Sequence, residues 1–441
     1  MQNLSLEGLT RIGQDGRVEP RLAEGWSFSP DRLIMTLRLR PGVKFHDGSN
    51  VTADTVAEIL RISLPGFMGP AFRDVDRIAS VAADRIEIHF TEPSRFSEEA
   101  LELNLSKLNE PTVGTGPFSA VDPKSLSELR ANPDYYLGPP NVDRVLVTNY
   151  PSVRSAWADM LRDQIDMLYE VGTDALDSLQ GGNNISLFSF TRPYQYVVFL
   201  NTRVPSLRAA RIRRALNLAI DRSVLVQDAF GGHALPSSGP IWPNHWALGQ
   251  ELSRFSFDPS TAASLLSSED NAKGSVAVSL RFTCLVPPDY ERIALVVSRQ
   301  LEAVGVKMDL KEASIEESLE ALRKHDYEAV LFDMVSGPGM FRLYGLWHTG
   351  GSLNIGQSTS PEVDAALDRI RHAKSDDQYR SAVAAFQKAM LDDPPAIFLA
   401  WSERARAVSR RFDVAAQPDR DILLSLRLWK PALGDTIARS N

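Results

Sequence analysis

Apolar and polar residues alternate in two rhythms along this chain, and stretches with one rhythm follow stretches with the other almost throughout. Residues 33–40 have an apolar side chain at every second position, which predicts a half-buried strand. Residues 293–301 have one at every third or fourth position, which predicts an amphipathic helix that stops near Gly305. Further strands are predicted at 306–310 and 327–332. This alternation predicts a mixed α and β protein rather than a sandwich or a helical bundle.

The segment "LRLRPGVKFHDGSNVTADTV", residues 37–56, contains polar residues that could carry chemistry. The pair Asp47-Gly48 favours a chain reversal, because Asp tolerates tight turns and Gly accepts a positive φ. Thr52 is a suitable N-cap for the helical pattern that follows it. His46 has no third partner at the spacing of a metal site or a catalytic triad. We therefore predict a structural joint of strand, turn and helix.

Composition limits the class of protein. The chain has 441 residues, of which 43% are hydrophobic and 24% charged, and its formal net charge is -8. This length predicts two or three domains with substantial cores. The negative charge disfavours nucleic acid and anionic membrane surfaces as partners. No apolar run approaches the ~20 residues that a membrane span requires.

The cysteine usage and the first residues add two expectations. Cys284 is the only cysteine, so an intramolecular disulfide and a multi-cysteine metal site are excluded. Its neighbours form a strand pattern, which predicts a buried, inert thiol rather than a nucleophile. No basic segment followed by a continuous apolar segment comes after Met1, so no secretory signal is expected within this sequence.

A search for catalytic and cofactor motifs finds none of the common ones. The chain has no HExxH, GxSxG, Walker A or GxGxxG motif, and its seven His are not paired at metal-ligand spacing. We therefore predict a non-enzyme with no catalytic residue, no cofactor and no resident metal site. Aromatic residues do gather in irregular segments, at 242–246 and 341–348. They could enclose a ligand or cover the undersides of loops, and the sequence leaves both possibilities open.

Four separated stretches resemble, in order, the extracytoplasmic solute-binding proteins of family 5, the peptide, nickel and opine receptors of ABC importers. They are "GLTRIGQDGRVEPRLAEGWSFSPDRLIMTLRLRPGVKFHDGSNVTADTV", "GTGPFSAVD" with "ANPDYYLGPPNVDRVLVTNYPSVRSAWADMLRDQIDML", "VVFLNTRVPSLRAARIRRALNLAIDRSVLV" and "LNIGQSTSPEVDAALDRI". The resemblance implies an α/β, two-lobed periplasmic-binding-protein-like fold of the class II type, with an additional subdomain on lobe I. The implied lobe I comprises residues 1–19, 145–235 and 425–441, the subdomain 20–144, and lobe II 236–424, with a domain crossover within the Gly- and Pro-rich stretch 230–250.

The resemblance also implies a function. The chain would be a monomeric periplasmic or extracytoplasmic receptor that encloses a peptide-like, opine-like or sugar-acid solute between its lobes and delivers it to a membrane permease. A nickel or metal-chelate receptor of the same family is one alternative; a cytoplasmic ligand-sensing module and a hydrolase on a two-lobed scaffold are alternatives of other classes. Family members have a signal peptide and a strand ahead of the first matching stretch, so an N-terminally truncated chain is expected.

In peptide receptors of the family, the loop after the strand matching 327–332 carries an aromatic residue, usually Trp, and an Asp that pairs with the peptide's α-amino group. In this chain Met334 lies near the aromatic position, and Gly337 or Gly339 lies where the acid would be. On a regular strand Asp333 would point to the face opposite Met334. The resemblance therefore predicts a solute without a free peptide amino terminus at this position.

The predicted ligand-binding residues lie mainly in this loop and the segment after it. Arg342 is the candidate for an anionic group. The candidate enclosing rings are Tyr344, Trp347 and Trp242, the small polar contacts are Ser336 and Asn354, and the strand contributes Asp333 and Met334. His348 is a candidate ligand only if the solute is a metal chelate.

Overall fold

The computed structural model describes residues 2–172, 184–249, 254–267, 280–354 and 359–432. Two of the segments named above extend beyond these residues. Positions 433–441 of the expected lobe I tail and positions 355–358 of the fourth family-like stretch lie outside the described residues.

The chain forms two compact units. The first consists of Met1–Arg11, Val18–Thr191 and Glu403–Asn441, and the second of Ile12–Arg17 and Arg192–Ser402. The chain therefore passes between the units within the strands Ile185–Leu200 and Ala396–Ser409 and on either side of Ile12–Arg17, not within 230–250. Residues 192–235, assigned to lobe I by the resemblance, belong to the second unit. The expected boundaries of the lobes, and the additional subdomain, stay predictions.

The first unit is built from short strands and a few helices. A four-stranded antiparallel sheet has the order Ala23–Phe28, Ile34–Leu39, Arg85–Phe90, Val75–Ala82, and a three-stranded sheet has the order Phe118–Asp122, Ser125–Ala131, Arg144–Leu146. The helices are Gln2–Ser5, Ala53–Met68, Arg95–Ala100 and Val153–Leu161, with 3-10 turns at Gly69–Asp74 and Ile422–Leu428. Two shorter strand pairs are Thr10–Ile12 with Val18–Pro20, and Phe412–Asp413 with Lys430–Pro431. The strand Thr10–Ile12 begins in the first unit, and its last residue belongs to the second.

The predicted joint around His46 is confirmed. The strand Ile34–Leu39 precedes it, and the side chain of Thr52 accepts the Thr55 N–H at 3.2 Å to cap the following helix. His46 Nε2 lies 3.0 Å from the carbonyl oxygen of Gly116, and Nδ1 accepts the Gly114 N–H at 3.2 Å. Burial lowers the pKa of His46, so the neutral ring suits these two bonds. His46 therefore holds the glycine-rich loop at 114–118 and has a structural role.

A buried carboxylate fastens the first residues of the chain to the same unit. Glu7 is 1% exposed and accepts hydrogen bonds from the Tyr135 hydroxyl at 2.8 Å and the Arg21 Nε at 2.9 Å. The Thr115 hydroxyl donates to its second oxygen at 3.2 Å. A buried charge needs such partners, since isolation from water would cost several kcal/mol. The network ties residues over a hundred positions apart into one core.

The second unit is organised around a mixed sheet. Its strand order is Ala396–Ser409, Ile185–Leu200, Ala329–Val335, Arg281–Val286, Lys307–Glu312, with Ala234–Pro236 paired to Ala396–Ser409. Met167–Val171 pairs with residues 405–408 at the end of Ala396–Ser409, within the first unit. Its helices are Ala210–Leu218, Arg222–Phe230, Pro259–Ser267, Glu291–Glu302, Ile315–Lys324, Met340–Trp347, Pro361–Arg371 and Asp376–Asp392, with a 3-10 turn at Pro288–Tyr290. The strand Arg281–Val286 runs parallel to both of its neighbours. The mixed α/β class is confirmed.

Local predictions in this unit hold as well. The helix Glu291–Glu302 buries its predicted apolar side, and Gly305 beyond it has a φ of 83°. Ser360 caps the helix Pro361–Arg371 by accepting the Val363 N–H at 3.4 Å. Cys284 is fully buried on its strand, and burial raises the pKa of its thiol to about 12, as expected of an inert cysteine.

Across the described part of the chain, no helix combines the length and the apolar character that crossing a membrane requires.

Candidate functional site

The candidate site begins at the strand Ala329–Val335. This strand pairs antiparallel with Ile185–Leu200. The pairing is regular, without a bulge, from Tyr194 opposite Val335 to Leu200 opposite Ala329. Asp333 therefore lies opposite Tyr196 and Met334 opposite Gln195. Because side chains alternate between the two faces of a strand, Asp333 and Met334 project from opposite faces.

Asp333 has a partner on its own face. Its Oδ1 accepts a hydrogen bond from the Tyr290 hydroxyl at 2.8 Å, and the side chain is half-buried. The Tyr290 ring packs edge-on against Tyr196, with 5.4 Å between the ring centroids. The carboxylate is thus oriented by an aromatic pair. The Asp333 side chain is therefore not grouped with the predicted binding residues of the loop that follows the strand.

The loop after the strand is fixed through its backbone. The N–H groups of Ser336 and Gly337 donate to the carbonyl oxygen of Pro193 at 3.0 and 3.3 Å. The Ser336 hydroxyl is buried and donates to the carbonyl oxygen of Met334 at 3.4 Å. Gly337 packs so closely against Trp242 that a Cβ there would lie 3.0 Å from the Cβ of Trp242. The Gly337-Pro338 peptide bond is cis. Glycine at 337 is explained by this packing.

The three predicted enclosing rings are nearly fully buried. Trp242 and Trp347 are each 1% exposed. Trp242 Nε1 donates to the carbonyl oxygen of Gln14 at 2.8 Å, and its ring meets Trp401 edge-on at 5.0 Å. Trp347 packs against other rings of the second unit, Phe199 at 5.9 Å and Phe398 at 5.8 Å. These contacts are those of core rings, and their role in enclosing a ligand stays a prediction.

Tyr344, the third ring, belongs to a buried polar cluster. Its hydroxyl accepts a hydrogen bond from Arg371 Nη1 at 2.9 Å, and its ring stacks on His348 at 4.4 Å. His348 Nδ1 accepts the Gly350 N–H at 2.9 Å, and Nε2 lies 3.6 Å from an oxygen of Asp368. Both ring nitrogens of His348 therefore face protein groups.

The helix Met340–Trp347 brings Arg342, Tyr344 and Trp347 together on one element, with His348 as its C-cap. Arg342 is half-buried on this helix. Asn354 lies beyond it, is half-buried, and donates its backbone N–H to the carbonyl oxygen of Gly351 at 3.3 Å. The predicted residues are thus grouped around the loop and helix, except for Asp333.

Sequence reasoning missed three residues on the Asp333 face. They are Tyr290, Tyr194 and Arg192, all half-buried. The guanidinium carbon of Arg192 lies 3.8 Å from the centroid of the Tyr194 ring. The available signal was the period-two pattern in "TRPYQY", which puts Arg192, Tyr194 and Tyr196 on one face of a strand.

Comparison with known proteins gives consistent matches over most of the chain. Residues 17–354 match the family model described as "Bacterial extracellular solute-binding proteins, family 5 Middle". Di/tripeptide-binding protein 2 of Pseudomonas aeruginosa is 23% identical over 420 residues, covering 84% of this chain and 78% of that protein. The probable D,D-dipeptide-binding periplasmic protein DdpA of Escherichia coli is 24% identical over 412 residues, covering 87% and 79%.

Solved structures match with similar coverage. NikZ from Campylobacter jejuni, in complex with Ni(L-His), has a TM-score of 0.82 at 20% identity, covering 97% of this chain and 94% of that one. AgaA from A. tumefaciens, in complex with agropinic acid, has a TM-score of 0.76 at 20% identity, covering 98% and 94%. The fold is therefore that of the two-lobed periplasmic binding proteins, as the resemblance implied.

Proposed function

Because this chain belongs to the bacterial extracellular solute-binding proteins of family 5, we propose that it binds a small solute that carries an anionic group and has no free peptide amino terminus at the 336–339 loop. Members of this family are periplasmic or extracytoplasmic substrate-binding components of ABC importers. The solute is a modified peptide, an opine-like compound or a sugar-acid conjugate. The protein acts as a monomer, takes no cofactor, and releases the solute unchanged to a membrane permease.

The position of Asp333 carries this proposal. A buried α-ammonium needs a paired anion, because an uncompensated charge in a desolvated site costs several kcal/mol. The loop at 336–339 reads Ser-Gly-Pro-Gly and offers no acid. Asp333 lies on the face of the strand opposite Met334 and is engaged by the Tyr290 hydroxyl. Both features support a solute that presents no ammonium to this loop.

Arg342 is the proposed contact for the anionic group. Its helix follows the loop directly, beginning at Met340. The side chain is half-buried. Charge-assisted hydrogen bonds from a guanidinium to a carboxylate contribute about 1.5–3 kcal/mol each. At about 1.4 kcal/mol per tenfold change in Kd, each such bond changes the affinity at least tenfold.

The metal-chelate alternative has less support. The printed ligand of the NikZ structure is a nickel–histidine complex, so this ligand class occurs on the same fold. In this chain, however, His348 directs one ring nitrogen to the Gly350 N–H and the other toward Asp368. Coordination of a metal through Nδ1 would require the imidazole to give up the Gly350 N–H. An organic solute needs no such rearrangement.

The hydrolase alternative also has little support. The sequence contains none of the nucleophile motifs searched for, and the family consists of solute-binding proteins rather than enzymes. A net charge of -8 disfavours nucleic acid as a partner. Binding and release of an intact solute is therefore the function that the molecule supports best.

Replacing Arg342 with Ala should weaken a carboxylate-bearing solute at least tenfold, because one charge-assisted contact is lost. The solute is first found by thermal-shift screening of acylated peptides, opines and sugar-acid conjugates. A true ligand at a hundred times its Kd stabilises the fold by about 2.7 kcal/mol. Its affinity is then measured by calorimetry for both proteins.

The matched control is Arg369→Ala, which removes an exposed arginine of the second unit. It should bind the solute like the wild type. Equal affinity of the Arg342→Ala variant and the wild type would refute the assignment of the anion to Arg342.

A further inference from the structure

The turn of the hairpin that starts with Thr10–Ile12 belongs to the second unit. Residues 12–17 are part of that unit, and we call them the hairpin tip. Two backbone bonds close the tip on itself. The Gly16 N–H donates to the carbonyl oxygen of Gly13 at 2.9 Å, and the Gly13 N–H donates to that of Arg17 at 2.8 Å. The tip therefore has a defined shape of its own.

Two tryptophans of the second unit hold the tip. The indole N–H of Trp242 donates to the carbonyl oxygen of Gln14 at 2.8 Å. The backbone N–H of Trp246 donates to the carbonyl oxygen of Asp15, also at 2.8 Å. The guanidinium carbon of Arg17 lies 4.1 Å from the centroid of the Trp246 ring, a favourable cation–π contact. The tip is thus held through its backbone and through a side chain.

Gly16 brings the tip against the loop at 336–339. Its φ is 78°, a conformation that favours glycine. A Cβ on Gly16 would lie 2.5 Å from the Cδ2 of His245 and 2.8 Å from the carbonyl oxygen of Pro338. His245 is buried, and the Pro338 oxygen belongs to the backbone, so neither group moves aside easily. Glycine at 16 is explained by this close approach of the tip to the loop.

Trp242 is a second link between the tip and the loop. Its Cβ would lie 3.0 Å from a Cβ on Gly337, while its indole N–H is bonded to Gln14 of the tip. Trp242 is 1% exposed, so its ring has little room to move. On the other side the loop is bonded to the strand, because the N–H groups of Ser336 and Gly337 donate to the carbonyl oxygen of Pro193. The strand and the tip therefore fix the loop together.

We propose that the hairpin tip positions the 336–339 loop for solute binding. Gln14 and Gly16 are positioning residues that act through Trp242 and Pro338, and they need no contact with the solute. This rests on the proposed function, in which the loop contacts the solute. A loop that is already ordered before binding lowers the ordering cost that association has to overcome.

Hydrogen exchange followed by mass spectrometry, on the protein without added solute, tests the assignment. Gly16→Ala forces the tip away from its neighbours. The amides of Ser336 and Gly337, and that of Trp246, should then exchange about tenfold faster than in the wild type, because local opening becomes easier. The strand Arg281–Val286 should keep its wild-type exchange, which separates local loosening from global unfolding.

The matched control is Gly305→Ala. Gly305 has a φ of 83° in the same unit, and a Cβ there would meet nothing within 4 Å. Both substitutions impose a positive φ on alanine, and only Gly16→Ala adds a collision. Gly305→Ala should leave exchange at Ser336 and Gly337 at the wild-type rate. Equally fast exchange there in both variants would overturn the inference, and so would unchanged exchange at these two amides in a folded Gly16→Ala.

Arg17→Gln decides the matter if Gly16→Ala unfolds the whole unit. It removes the guanidinium from the Trp246 ring without a collision and should speed exchange of the 336–337 amides about threefold. Arg369→Gln, which replaces an exposed arginine of the same unit, should leave them unchanged. Wild-type exchange of these amides in Arg17→Gln would overturn the inference. No solute takes part, so a solute that proves to carry a free ammonium would refute the proposed function and leave this result standing.

Discussion

Replacing Arg371 with Met is expected to destabilise the protein by about 3 kcal/mol, because the change removes one partner of a buried charged cluster. Arg371 is 1% exposed and donates to the Tyr344 hydroxyl at 2.9 Å and to His372 Nε2 at 3.0 Å. Its Nη2 lies 3.4 Å from Asp368 Oδ1. Met fills similar volume but removes the hydrogen bond to the tyrosine hydroxyl and the ion pair with the carboxylate. Asp368 is partly exposed, which limits the loss to the lower end of the range for broken buried pairs.

Urea unfolding measures this effect, with Arg369→Met as the control on the same helix. Arg369 is exposed, so its replacement should change the free energy of unfolding by no more than about 0.5 kcal/mol. The helix Met340–Trp347 carries both Tyr344 and Arg342, so Arg371→Met should also weaken solute binding. If the two variants prove equally stable, Arg371 does not hold this cluster together.

The second large effect is a loss of stability in acid that comes from His245. This side chain is 2% exposed, and its ring lies nearly parallel to those of Trp246 and Tyr379, with centroids 5.9 and 6.1 Å away. Burial lowers its pKa to about 4, while the charge of Asp15 acts to raise it and that of Arg17 to lower it further. A histidine in the unfolded chain has a pKa of about 6.5.

Between these two values the unfolded state binds more protons than the folded state, so stability falls as the pH falls. The contribution of His245 is fully present above about pH 6.5 and is lost toward about pH 4, which amounts to about 2 kcal/mol between pH 7 and about pH 4.5. Replacing His245 with Phe keeps the ring stack and removes the titrating group. The variant should therefore lose about 2 kcal/mol less stability than the wild type over this interval.

Urea unfolding at both pH values gives the comparison directly. His46 also has a pKa lowered by burial and titrates in the same direction, but it is present in both proteins and cancels in the difference. Identical pH dependence of the wild type and His245→Phe would contradict this prediction.

The local structure of the chain was readable from its sequence where short-range rules decide it. The cap at Thr52, the joint at His46 and the apolar face of the helix Glu291–Glu302 all follow from residue spacing. The opposite orientation of Asp333 and Met334 also follows, since a regular strand alternates its side chains.

The surroundings of the candidate site residues are determined by contacts between distant parts of the chain. No local sequence pattern indicates these contacts. The buried ring of Trp242 donates its indole N–H to the carbonyl oxygen of Gln14, 228 positions earlier in the chain. The Asp333 carboxylate accepts a hydrogen bond from the hydroxyl of Tyr290, which lies 43 positions away on another element. Arg192 and Tyr194 joined the site only because their strand crosses into the second unit beside Ala329–Val335. Such pairings depend on strand order, which one sequence leaves undetermined.

The central claim is that the solute presents no free peptide amino terminus to the 336–339 loop. Calorimetric titration with alanyl-glutamate and with N-acetyl-alanyl-glutamate tests it most directly, because the two compounds share their carboxylates and differ only in the terminal ammonium. The account predicts that the acetylated compound binds at least tenfold more tightly, since the loop offers no anion to a desolvated ammonium. Tight binding of the free dipeptide that acetylation abolishes would contradict it.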